Sequence, residues 1–197
     1  MKIGFDFDNT IIDYSEIFYE IAKLYNFIPD NIGRSKSEIK DYLHKKNKKE
    51  DFTKIQGLVY GQEILRAKPA KNIIITLDYL KTCKHDLYIV SHKTKYPYIG
   101  KQVNLREAAN KWIYKYIRIE DNLIFKNKNI FYENTIDSKL KRIKNLELDF
   151  FIDDLNTIIE LIKSPTIGIL YDPKFCNKET KYKKINNHIE FKNFLER

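Results

Sequence analysis

The 197 residues are 43% hydrophobic and 14% aromatic, enough for one core domain of ~100–150 residues with a modest insertion. No stretch approaches the ~20 apolar residues of a membrane span, and Asp6 and Asp8 interrupt the apolar stretch at the N-terminus, so a cytoplasmic protein without signal peptide or membrane contact is expected. The formal charge of +9 comes from lysines spread along the chain, dense only at Lys45-Lys46-Asn47-Lys48-Lys49 and Lys181-Tyr182-Lys183-Lys184. Such runs are usually solvated faces, so direct nucleic-acid binding is not expected; a positive field would instead draw anionic phosphate esters to the protein. Cys83 and Cys176 lie far apart with no zinc spacing, which reads as two free thiols in a reducing compartment.

In chain order, the apolar run 3–7 reads as a strand. Residues 14–27 carry Ile17, Phe18, Ile21, Leu24 and Tyr25 at helical period. Pro29, Asp30, Asn31 and Gly33 break that pattern, and Ser35 or Ser37 opens a second helix through Tyr42 and Leu43. A third helix is expected over about 52–65, weakened by Gly57 and Gly61, and a fourth over 69–81 from Pro69. A turn near 84–86 feeds the β-prone run 87–90. Then come a polar, aromatic loop over 92–100 and a helix over 105–117, with Trp112 as a core residue. Strands follow at 130–132, 150–152 and 166–170, and a last helix at 187–195. Strands alternating with helices imply an α/β fold with parallel pairing and right-handed crossovers.

Asp6 and Asp8 stand two apart at the end of the first strand, so their side chains share a face. Carboxylates that close repel unless a cation or a shared proton relieves them. The arrangement calls for a hard metal such as Mg²⁺, which takes oxygen ligands and keeps positions open for a phosphate.

Asp6-Phe7-Asp8-Asn9-Thr10 resembles the first motif of the haloacid dehalogenase superfamily, most of whose members are phosphatases. Three further motifs follow in the family's order. Ser91 ends the run 87–90, Lys139 lies early in a helix that Asp137 or Ser138 can cap, and Asp153-Asp154 ends the strand 150–152. Lys141 is the alternative lysine. The resemblance implies a doubly wound, three-layer α/β/α parallel sheet formed by residues 1–13 and 68–197, with 14–67 inserted as a small helical cap over the active site. It also implies that Asp6 is the nucleophile, forming an aspartyl-phosphate, and that Asp8 is the general acid and base. Ser91 and Lys139 would bind the transferring phosphoryl group. Mg²⁺ would be held by the Asp6 carboxylate, the Asp8 main-chain carbonyl and Asp154, with Asp153 assisting. Dehalogenases of the superfamily lack an acid at the Asp8 position, so its presence favours phosphate chemistry.

Next to Ser91, His92 and Lys93 are candidates for binding the phosphate or a second anionic group of the substrate, while Tyr96 and Tyr98 either stack on a base or sugar or pack on the following helix. The leading function is hydrolysis of a small phosphorylated metabolite, such as a nucleotide or sugar phosphate. A phosphotransferase or mutase of the same superfamily and a polynucleotide-end phosphatase are the alternatives, and the oligomeric state stays open.

Overall fold

The structure, a computed structural model, describes residues 1–176 and 181–196. In chain order the strands are β1 (Lys2–Phe5), β2 (Ile12–Asp13), β3 (Lys68–Pro69), β4 (Asp86–His92), β5 (Arg118–Ile119), β6 (Asn122–Leu123), β7 (Ile130–Glu133), β8 (Phe150–Asp153), β9 (Ile167–Tyr171) and β10 (Lys183–Ile185). The helices are α1 (Ile17–Leu24), α2 (Lys36–Lys45), α3 (Lys49–Tyr60), α4 (Ile73–Thr82), α5 (Leu105–Tyr116), α6 (Ile136–Asn145), α7 (Asn156–Leu161) and α8 (His188–Leu195). They form two compact units: Met1–Ile12, Pro69–Lys93 and Tyr116–Arg197 in one, Asp13–Lys68 and Thr94–Lys115 in the other.

The first unit is built on a six-stranded parallel sheet in the order β10-β9-β8-β1-β4-β7. Side-chain alternation along each strand feeds two cores. On one face Val90 and Phe151 pack with Ile143 of α6, Leu148 and Ile158 of α7. On the other, Phe5 and Phe150 meet Phe191 of α8. Helices therefore cover both faces, the α/β/α layering expected. Gly4 has no room for a side chain, because a Cβ there would lie 2.4 Å from Leu148 Cδ1. The order reverses next to β1: the chain runs out through β4 and β7, then returns to β8 on the other side. Such switch points are where open α/β sheets bind ligands, at the C-terminal ends of the strands.

The second unit is helical. Ser35 caps α2 through a reciprocal bond with Glu38. Phe18 of α1 packs with Phe52 and Tyr60 of α3. Trp112, fully buried as expected, donates its indole N–H to the Ala67 carbonyl at 2.9 Å. The sequence reading left 94–115 with the core, but in the structure this segment packs with the helices of 13–68.

Several boundaries differ from expectation for local reasons. The third helix ends at Tyr60, because Gly61 leaves the helical conformation with φ of −115° and ψ of −96°. The fourth starts at Ile73 instead of Pro69 because Asn72 is left-handed, with φ of 62°. The strand β10 and the β5–β6 hairpin went unanticipated; each is two or three residues long and carries no alternating pattern.

Candidate active site

The register of the central sheet brings the motif residues to one level. Phe5 lies opposite Ile89 of β4 and Ile152 of β8. Asp6 follows Phe5, Asp153 follows Ile152, and Ser91 lies in β4 two residues beyond Ile89, one before its end at His92. The Asp6 N–H still bonds the Ile152 carbonyl at 2.8 Å, extending the pairing one residue past the strand. The chain then turns sharply. Asn9 is left-handed at φ 57°, and the N–H groups of Ile11 and Ile12 both point at the Phe7 carbonyl, at 3.1 and 3.2 Å. A polar residue such as Asn tolerates that conformation better than most.

Lys139 joins two of the carboxylates. Its Nζ lies 2.6 Å from Asp6 Oδ1 and 2.6 Å from Asp153 Oδ2, with only 2% of the residue exposed. It lies in the first turn of α6, whose start is fixed by Thr135. The Thr135 hydroxyl accepts from the Ser138 N–H at 3.1 Å, and the Ser138 hydroxyl accepts from the Thr135 N–H at 3.2 Å. Thr135 therefore caps the helix in place of Asp137 or Ser138, because only it has the extended backbone of a cap. Lys139 shares a helix face with buried Ile143, four residues on, whereas Lys141 is exposed.

Asp154 completes an acidic triad. One carboxylate oxygen from each of Asp6, Asp153 and Asp154 lies within 4.8 Å of the others. Burial, outweighing the pull of Lys139, pushes Asp6 up to about 7, with Asp153 and Asp8 adding repulsion. Burial, then the charges of Asp6 and Asp153, push Asp154 up to about 8, against a hydrogen bond from Asn9. Burial also works against the Lys139 ammonium, but Asp6 and Asp153 overcome it and hold its pKa above the ordinary lysine value. The cluster favours protons or a further cation, and an all-oxygen donor set suits a hard one.

The Asp8 carboxylate stands outside the triad. Its oxygens lie 3.0 and 2.9 Å from Nζ of Lys93, a residue 4% exposed. Ser91 is buried, and among the described residues its Oγ has no hydrogen-bond partner, an arrangement that suits a hydroxyl kept for an incoming acceptor. His92 is directed elsewhere. It alternates with Ser91 along β4, and its Nε2 lies 3.0 Å from the Asn134 carbonyl oxygen, so the structure does not bring it to the carboxylates.

No protein-family model and no curated protein matches the sequence. Solved structures match over nearly the whole chain. A haloacid dehalogenase-superfamily hydrolase from Ehrlichia chaffeensis is 19% identical with a TM-score of 0.55, covering 98% of this chain and 95% of its own. A family hydrolase from Deinococcus radiodurans, solved with bound phosphate and sodium, is 11% identical with a TM-score of 0.62, covering 98% and 94%. A predicted phosphoglycolate phosphatase from Haemophilus somnus is 12% identical with a TM-score of 0.59, covering 98% and 97%. The fold is that of the haloacid dehalogenase superfamily. In this chain Asp6 follows β1, Ser91 lies near the end of β4, Asp153 ends β8 with Asp154 next, and Lys139 lies in the first turn of α6.

Two contributors escaped the sequence reading. Asn9, inside the first motif, bonds Asp154. His188 at the start of α8 is fully buried, and its Nε2 donates to the Thr10 carbonyl at 2.7 Å, tying the last helix to the turn after Asp8. The spacing of Ser91 and Lys93 carried a usable signal: residues two apart on a strand share a face.

Proposed function

We propose that the protein is a Mg²⁺-dependent phosphomonoesterase that passes the phosphoryl group through Asp6 to water. The observation that carries this reading is the buried cluster in which one lysine bonds both Asp6 and Asp153 at the switch point of the sheet, with, on the neighbouring strand β4, a serine hydroxyl that has no hydrogen-bond partner among the described residues. Mg²⁺ fits the donor set, and Asp6, Asp154 and the Asp8 main-chain carbonyl would hold it, with Asp153 assisting. When bound it would supply positive charge for the phosphoryl oxygens.

In the first step an Asp6 oxygen bonds phosphorus, the ester P–O bond breaks, and Asp8 gives a proton to the leaving oxygen. Lys139 and the Ser91 hydroxyl hold the phosphoryl oxygens as charge shifts onto them. In the second step water bonds phosphorus, the Asp6–phosphorus bond breaks with its electron pair returning to the carboxylate, and Asp8 takes the water's proton. The helical unit is, in this reading, the cap that selects among small phosphate esters such as nucleotide or sugar phosphates.

The test is phosphate release from a panel of metabolite phosphates with Mg²⁺ and with EDTA. Wild type should release phosphate only with the metal, and Asp6→Asn should lose about 10⁴-fold or more of that rate, the scale for removing a nucleophile. Undiminished turnover by Asp6→Asn would contradict the mechanism.

A further inference from the structure

The Lys93–Asp8 pair forms a second ionic contact, separate from the Lys139 cluster. Lys93 Nζ meets both carboxylate oxygens of Asp8, at 3.0 and 2.9 Å, and sits 5.4 Å from the centre of the Phe7 ring. The lysine side chain is almost fully buried, and that of Asp8 is 24% exposed. A cation that bonds both oxygens fixes the plane of the carboxylate as well as its place, and charge-assisted bonds are about twice as strong as neutral ones. The backbone reinforces this: Lys93 N–H bonds the Glu133 carbonyl at 3.0 Å, so the lysine is anchored one residue past the strand.

We infer that Lys93 is a positioning residue for the second half of the reaction, holding Asp8 as the acceptor of the proton from the attacking water. The inference rests on the aspartyl-phosphate reading above. In that step the water oxygen bonds phosphorus, its proton passes to the Asp8 carboxylate, and inorganic phosphate departs as the bond to Asp6 breaks. Lys93 bonds Asp8, so its loss acts on water attack, and with an ester whose leaving group needs no proton it leaves the attack of Asp6 intact.

The experiment uses p-nitrophenyl phosphate and the full chain, because nitrophenolate leaves without needing a proton. Then kcat/KM reports formation of the phosphoenzyme, and kcat comes to report its hydrolysis once that step is slow. In Lys93→Met, kcat should fall on the order of 10–100-fold, the scale for a misplaced catalytic group. KM should fall with it, kcat/KM should stay at the wild-type value, and rapid mixing should give a stoichiometric burst of nitrophenolate. Lys93→Arg, which keeps the cation, should recover most of kcat. A kcat/KM that falls as far as kcat would overturn the inference, since the lysine would then act on the phosphoryl group itself. Equal behaviour of the Met and Arg variants would overturn it too. Should Lys93→Met fail to fold, Lys93→Gln decides by the same criteria. A wild-type protein that releases no nitrophenolate would overturn the phosphatase reading and this inference with it.

Discussion

Two buried clusters in this chain hold together by opposite means. In the helical unit, Phe18 meets Tyr14, Phe52 and Tyr60 at ring-centre distances of 6.4, 6.2 and 5.7 Å, and burial favours every member. At the strand ends of the sheet, Lys139, Asp6 and Asp153 are buried and Asp154 is half-buried, against the preference of charge for water, and only the attraction between the lysine and its carboxylates offsets the loss. An apolar cluster is what stability alone would select. A cluster of carboxylates around one lysine is retained where its charge does something, which is why strongly shifted groups in one place point to a working site.

Breaking each cluster should separate the two. Lys139→Met leaves two buried carboxylates without their cation. It should abolish phosphate release and cost about 3–5 kcal/mol in urea unfolding without metal. Added Mg²⁺ should recover part of that stability, because it would replace the lost charge. Phe18→Ala should cost a similar ~3–5 kcal/mol through the cavity it leaves, with no recovery on adding Mg²⁺. Equal responses of the two variants to Mg²⁺ would erase the distinction.

His188 sharpens the comparison within the sheet unit, because burial and not a charged neighbour moves it down. Burial pushes its pKa down to about 4, against the hydrogen bond to Thr10. The folded protein therefore binds fewer protons than the unfolded chain between pH 6.5 and 4, so this stabilisation is present above about 6.5 and is lost as pH falls toward 4. The loss amounts to about 3 kcal/mol at most. Asp6 and Asp154, whose pKa values are raised to about 7 and about 8, act in the opposite sense, with stability lost as pH rises from about 4 to 7–8. The slope due to His188 is thus the difference between wild type and His188→Gln in unfolding measured across pH 4–7. An identical slope in both would contradict the assignment. The smallest effect belongs to Lys141→Ala, which should change stability by less than about 0.5 kcal/mol and leave turnover intact, since that side chain is exposed.

Much of this was legible in the sequence. The apolar runs 87–90 and 150–152 marked strands β4 and β8, but β1 stops at Phe5, so the strand period does not carry through Asp6 and Asp8, and the two carboxylates meet different lysines. What stayed hidden depends on contacts that no period encodes. Thr135 rather than Asp137 or Ser138 caps α6, because the cap is chosen by where the backbone is extended. His92 faces away from the carboxylates and Lys93 toward Asp8, a consequence of β4 continuing through His92 when the apolar run stops at Val90. Residues 94–115 join the helical unit through Trp112 and Ala67, a pairing 45 residues apart that helical periodicity cannot anticipate. His188 reaches Thr10 across 178 residues of sequence.

The central claim is that Asp6 carries the phosphoryl group, and acid quenching during turnover followed by peptide mass spectrometry tests it most directly. The account predicts one added phosphoryl group on the peptide containing Asp6, accumulating further in Lys93→Met and missing in Asp6→Asn. Turnover with no phosphoryl group on that peptide in either protein, or with the label on another residue, would contradict it.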